Sequence, residues 1–93
     1  MMPQLRYVRG VPSGTKPPPG PLTKALAAIL RAALADRGKP QHWLSERSGI
    51  SQRQASRYLA GRASPTVDQV DAMCVALDLD FKATITAADV ARR

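Results

Sequence analysis

Residues 49–61 read GISQRQASRYLAG, and no other stretch of the chain constrains its folding so tightly. Gly49 can take the left-handed backbone conformation that stops a helix. Two residues later, Ser51-Gln52-Arg53-Gln54 has the S-x-x-Q form of a capping box, which starts one. One helix therefore ends and another begins within the span of Gly49 to Ser51. The helix that follows is expected to run to about Ala60 and to close at Gly61. The one before it is PQHWLSERS, opened by Pro40 at a first-turn position where a missing N–H costs nothing.

The segments on either side use the same local grammar. Upstream, TKALAAILRAALADRG sets Leu26, Ile29, Leu30 and Leu34 at i, i+3, i+4 spacing, which predicts a first helix starting at Leu22-Thr23 and stopped by Gly38. Downstream, Pro65 breaks the chain, Thr66-Val67-Asp68-Gln69 is a second capping box, and Val67, Val70, Met73, Cys74 and Leu77 form the apolar face of a fourth helix. Beyond Leu77 two readings stay open. Phe81, Ala83 and Ile85 alternate with Lys82, Thr84 and Thr86 as in a strand, whereas the chain from Thr86 onward can cap and form a final turn or two of helix.

Residues 1–21 differ in kind. They hold six of the eight prolines, three of the six glycines and no acid, so they cannot propagate a helix and read as an arm. With 93 residues in all there is room for one domain with one modest core and no large catalytic cleft. The expected organisation is a basic arm over 1–21, a folded domain over 22–85 containing the helix pair at 41–60, and a tail over 86–93. The fold class is all-α, with four to five helices.

A pair of short helices joined at a glycine is the skeleton of a helix-turn-helix, whose second member lies in the DNA major groove. Leu44, Ile50, Ala55 and Tyr58 or Leu59 can face inward, with Ser45 small enough to let the two helices approach. Gln52, Arg53, Ser56 and Arg57 then share the outer face of the helix at 51–60. Their chemistry suits base edges, since arginine pairs with O6 and N7 of guanine and glutamine with N6 and N7 of adenine. The competing reading is a solvated helix face that happens to carry two arginines.

Charge bears on that choice. Net charge is +7, and residues 1–62 carry eleven Lys and Arg against only Asp36 and Glu46, a balance of +9, whereas residues 63–93 stand at −2. A basic face built by the first two thirds of the chain fits a polyanion such as nucleic acid.

The span from about Leu22 to Ile85 resembles the phage-repressor-like helix-turn-helix family, which includes the lambda and 434 repressors and the Cro proteins. Carrying the resemblance is Q-x-x-L-S-x-x-x-G-I-S-Q-x-x-A-S-R-Y-L-x-G from Gln41 to Gly61, followed by a P-T-x-x-x-V helix. It implies a compact repressor-like domain in which Gln41 meets phosphate beside an adenine contact from Gln52, and Arg53, Ser56 and Arg57 choose the operator sequence. It also implies phosphate contacts from Arg62, with Gln54 and Ser64 as weaker candidates. Three positions depart from the family. Pro40 replaces the usual capping Ser or Thr, Asp78 stands where glycine commonly ends the fourth helix, and Trp43 replaces a charged surface residue. Trp43 either covers an apolar edge or donates its indole N–H to a phosphate.

In the arm, Arg6, Arg9 and Lys16 would enter a groove or neutralise phosphates; an unstructured tail with incidental basic residues is the alternative. His42 is expected to be a solvated histidine and Cys74 a small core residue. One His, one Cys and no acidic cluster in the basic region leave no catalytic constellation, no metal site and no role for a cofactor. A lone cysteine excludes an internal disulfide, and no apolar run is long enough to span a membrane or serve as a signal peptide.

These features lead to a sequence-specific double-stranded DNA-binding regulator in the bacterial cytoplasm, on the nucleoid, best read as a phage or prophage-type repressor acting in phage immunity. The alternative is an antitoxin-type regulator that also binds a toxin. The expected partner is an operator, occupied by one copy or by a homodimer built through the chain from Phe81 onward. No membrane and no small-molecule ligand are expected.

Overall fold

The computed structural model describes residues 17–93. Arg6, Arg9 and Lys16 lie outside the described residues. Among those described there are five helices and no strand: α1 Pro21–Asp36, α2 Gln41–Ser48, α3 Gln52–Leu59, α4 Val67–Ala76 and α5 Phe81–Ala91. α2 and α3 pack on each other across the Gly49 turn, α4 packs under α2, and α1 lies between α3 and α5.

Each helix starts and stops where local chemistry provides for it. Pro21 is the first residue of α1, behind Gly20 in an extended conformation. Pro40 stands just outside α2 rather than within its first turn, with no side chain to cap the helix. Gly49 ends α2 at φ 76°, and Ser51 then accepts from the Gln54 backbone N–H at 3.2 Å to start α3. The turn between them is held from inside: Ser45 donates to the Ile50 carbonyl, Ser48 donates to that of Leu44, and the Ile50 N–H donates to the Ser48 hydroxyl. Ser45 is thus a bonding partner as well as a small residue.

An added Cβ at Gly49 would meet no atom within 4 Å. Gly49→Ala is therefore a test of backbone conformation alone. It should destabilise the domain by about 1–2 kcal/mol, the cost of a left-handed alanine, seen as a lower urea midpoint with an unchanged slope.

The core is continuous through all five helices. Leu26, Leu30 and Leu34 from α1, Leu44 from α2, Ile50 from the turn, and Ala55, Tyr58 and Leu59 from α3 meet Val70, Met73, Cys74 and Leu77. Ala88 joins them from α5. Burying a leucine of this kind contributes about 1.5–3 kcal/mol. Burial pushes the Cys74 thiol above its ordinary range, so it stays protonated and packs as a small apolar group.

Two expectations are corrected. Val67, expected on the apolar face of α4, is 71% exposed. As the first residue of its helix it lies past the edge of the core, and Gln69 and Val70 supply the packed side of that turn. The strand-like alternation over 81–86 gives way to helix, and the final turns of helix left open from Thr86 onward are the second half of α5, which starts at Phe81 rather than at a cap on Thr86. Asp80 caps this helix by accepting from the Ala83 N–H at 2.8 Å. Thr84 and Ala88 are buried, with Phe81 and Ile85 packed beside them. The operative period is that of a helix, and buried Thr84 satisfies its hydroxyl by donating to the Asp80 carbonyl at 2.8 Å. Asp78, at φ 58°, takes the left-handed position expected of it. Arg37 at the end of α1 donates to the Leu77 carbonyl at 2.9 Å, which ties the last turns of α1 and α4 together.

Candidate nucleic-acid interface

α3 is amphipathic in a way that separates its packing from its chemistry. Ala55, Tyr58 and Leu59 are buried, while Gln52, Arg53, Gln54, Ser56 and Arg57 are all exposed. With about 3.6 residues per turn, Arg53 and Arg57 point most nearly away from the buried side. Gln52 and Ser56 lie toward one flank, and Gln54 toward the other.

Hydrogen bonds from α1 and α4 hold this helix in place. The Arg31 guanidinium donates to the Leu59 carbonyl, satisfying an end-of-helix acceptor that α3 cannot satisfy itself. Tyr58 donates its hydroxyl to Oε1 of Gln69 at 2.8 Å, and the same oxygen accepts from the Thr66 N–H at 2.9 Å. The Gln69 N–H in turn donates to Thr66 Oγ1 at 3.1 Å, completing the capping box of α4. Gln69 therefore links the start of α4 to the floor of α3. Gln69→Ala should lower stability by about 1–2 kcal/mol through the lost cap and the tyrosine left without its acceptor. Gln69→Glu keeps an acceptor at that place, so its thermal midpoint should stay much closer to that of the parent.

The loop after α3 comes close to α1. Gly61, at φ 73°, would place a Cβ 3.7 Å from Lys24 Cγ and 3.8 Å from Ala27 Cβ. Ser64 and Thr23 share a hydrogen bond at 3.4 Å. Beside this loop an open cleft of about 740 Å³ runs between the Pro17–Pro19 segment and α3. Arg53, Gln54 and Arg57 line it from the helix, and Arg62 and Ser64 line it from the loop. Five of the eight residues expected to touch nucleic acid in the folded domain thus share one concave surface. Gln52, Ser56 and Gln41 stand outside it, the last as the exposed first residue of α2.

Trp43 is half-buried against the core, with the Lys39 ammonium 5.8 Å and the Arg47 guanidinium 5.3 Å from its ring centroid. Its position matches the covering role. His42 is exposed on α2.

Lys24, Arg31 and Gln69 do not emerge from the sequence as parts of this surface, and the proline-bounded lead TKPPPGPLT, which resembles a segment that some phage repressors wrap around the duplex, gives no sign in the sequence that Pro17–Pro19 lie beside α3. Only Gln69 carries a local signal, and that signal is for a cap. The described residues include no group of three or more His, Cys, Asp or Glu able to hold a metal ion. No helix among them is long and apolar enough to cross a membrane.

The model of the helix-turn-helix domain family matches residues 25–88. Two crystal structures of the clp gene regulator ClgR from Corynebacterium glutamicum are similar to the chain at 28% identity. One has a TM-score of 0.72 over 81% of this chain and 80% of that one. The other has a TM-score of 0.68 over 75% of this chain and 91% of that one. No curated protein matches the chain in sequence.

Proposed function

This chain belongs to the helix-turn-helix domain family, and from that premise we propose a DNA-binding transcriptional regulator whose α3 occupies the major groove of an operator. The observation that carries the proposal is the division of α3. One side is locked into the core by Ala55, Tyr58 and Leu59, and the other presents Gln52, Arg53, Ser56 and Arg57 to solvent. The two outward arginines also share one concave surface with Arg62 and Ser64 from the following loop, which a merely solvated helix face does not require. Gln41, Gln54, Arg62 and Ser64 serve as phosphate contacts, which set register, while the outward four read sequence.

Its mode of action is repression: a domain seated on a promoter excludes polymerase by occupancy, with no chemistry of its own. The solved relatives are structures of a gene regulator, which supports regulation in general. The phage or prophage setting comes from the Gln41 to Gly61 pattern alone. An antitoxin role would require a segment to spare for a toxin, and Thr84 and Ala88 commit one side of α5 to this domain's own core.

The test is selection from a random duplex pool, followed by light scattering on the complex. Enrichment of one consensus is the expected result, and a palindromic consensus with two chains per duplex would establish a homodimer. A pool that shows no enrichment after repeated rounds would remove the proposal.

A further inference from the structure

We infer that residues 5–9 of this chain, Leu-Arg-Tyr-Val-Arg, dock on the outer face of α4, where two exposed valines accompany two carboxylates. Val67 and Val75, each 71% exposed, are two of the three large apolar side chains that the described residues leave in solvent. At about 100° per residue, Asp71, Val75 and Asp68 fall about 40°, 80° and 100° around the helix from Val67, so the four share one face. Val70, Met73 and Cys74 occupy the adjoining arc and are buried. The other acids of the C-terminal third are engaged: Asp80 caps α5, Asp89 pairs with Arg92 and Arg93, and Asp78 lies 3.7 Å from Arg37. Among the described residues no Lys or Arg forms an ion pair with Asp68 or Asp71.

A face of this kind suits a short segment whose cations are set among apolar side chains, and the chain carries one. Residues 1–16 contain Arg6, Arg9 and Lys16 and no acid, and Leu5, Tyr7 and Val8 surround the two arginines. An extended run from Leu5 to Arg9 covers about 13 Å at about 3.3 Å per residue. Val67 and Val75 stand about 12 Å apart along the helix axis at 1.5 Å per residue. The point of attachment is also suitable. Pro17 and Ser64 line the same cleft, and Val67 follows Ser64 by three residues. Residues 1–16 therefore join the described domain near the start of α4, and residues 10–16 can span up to about 23 Å to reach its face. Exposed ion pairs contribute little one at a time. A tether of this length supplies an effective concentration in the millimolar range, an advantage that a basic segment from another molecule lacks.

The test uses the full chain without DNA. Trypsin cleaves after Arg6 and Arg9, and mass spectrometry follows both cuts in the parent and in a variant carrying Asp71→Asn and Val75→Thr. Cleavage tracks the fraction of molecules in which the segment is released, so the variant should be cut about three- to tenfold faster. Both substitutions are at exposed positions, and the melting temperature should stay that of the parent. A second measurement needs no protease. In the full chain carrying Arg6→Ala and Arg9→Ala, the amide NMR signals of Asp68, Asp71 and Val75 should move, while those of Arg53 and Arg57 on α3 should stay in place. Equal cleavage rates, or α4 signals that do not move, would overturn the docking and leave this face open to a basic segment of another protein. Protection that grows with protein concentration would place residues 5–9 on α4 of a second copy and would overturn the intramolecular contact. None of these results depends on α3, so the docking and the DNA-binding proposal can each fail while the other stands.

Discussion

Leu59→Ala should destabilise the domain by about 2–5 kcal/mol, the range for deleting most of a fully buried leucine. Leu59 has no exposed surface, and it stands in the core with Leu30, Leu44, Met73 and Leu77, all of them fully buried. Its neighbours come from several helices already fixed by caps and by the Gly49 turn, so the site cannot close around the cavity without moving one of them. In a domain of this size each kcal/mol moves the melting temperature by about 4–8 °C. A fall of about 10 °C or more is therefore expected in a circular dichroism melt. Leu59→Met conserves volume and should cost less than about 1.5 kcal/mol. The pair separates cavity formation from any effect on the Arg31 bond, because that bond goes to the Leu59 backbone carbonyl and both variants keep it. A Leu59→Ala protein that melts within a few degrees of its parent would mean that α3 is not locked into the core as described.

Features written in adjacent residues are legible in the sequence alone. Gly49 and Gly61 both take the left-handed conformation, and Ser51 and Thr66 both cap their helices, because a stop or a cap depends on three or four neighbours. The identity of the outward side of α3 follows from period alone. Features that depend on distant segments are not legible. Asp80 is a cap, but Phe81, Ala83 and Ile85 impose a competing period of two over the same residues. Packing on α1 and α4 decides for the helix, and Thr84, a residue that pattern reading assigns to the polar side, is buried there. Val67 fails for a related reason: a period predicts direction around a helix and cannot tell where along the axis the core ends. The cleft is wholly tertiary. Pro17–Pro19 and Arg62 lie more than forty residues apart in the chain, and they meet because α1 runs back beneath the loop at Gly61. Gln69 is visible as a cap, yet its second bond to Tyr58 joins two helices and leaves no trace in local sequence.

The contribution of α3 to recognition can be separated from its contribution to folding, because the side chains of Arg53 and Arg57 are exposed and the bonds that hold the helix, from Arg31 to the Leu59 carbonyl and between Tyr58 and Gln69, involve neither of them. Arg53→Ala and Arg57→Ala should each leave the melting temperature within a degree or two, as for other exposed helix positions away from caps and core. Alanine is also the better helix former, which at Arg57 offsets the loss of a cation from the last turn of α3. On the selected duplex each should lose about 1–3 kcal/mol of discrimination at the base pair it reads, the range for one bidentate pair. The two arginines are one turn apart, so the affected positions should be neighbouring base pairs. Selection repeated with each variant is the measurement, and one or two columns of the consensus should flatten while the rest stay intact. Arg62→Ala provides the contrast: a phosphate contact weakens binding to all sequences alike and flattens the salt dependence, without altering any column. Were both outward variants to weaken every sequence equally, Arg53 and Arg57 would be phosphate ligands. The burden of reading would then pass to Gln52 and Ser56 on the flank opposite Gln54, and the consensus should depend on Gln52→Ala instead.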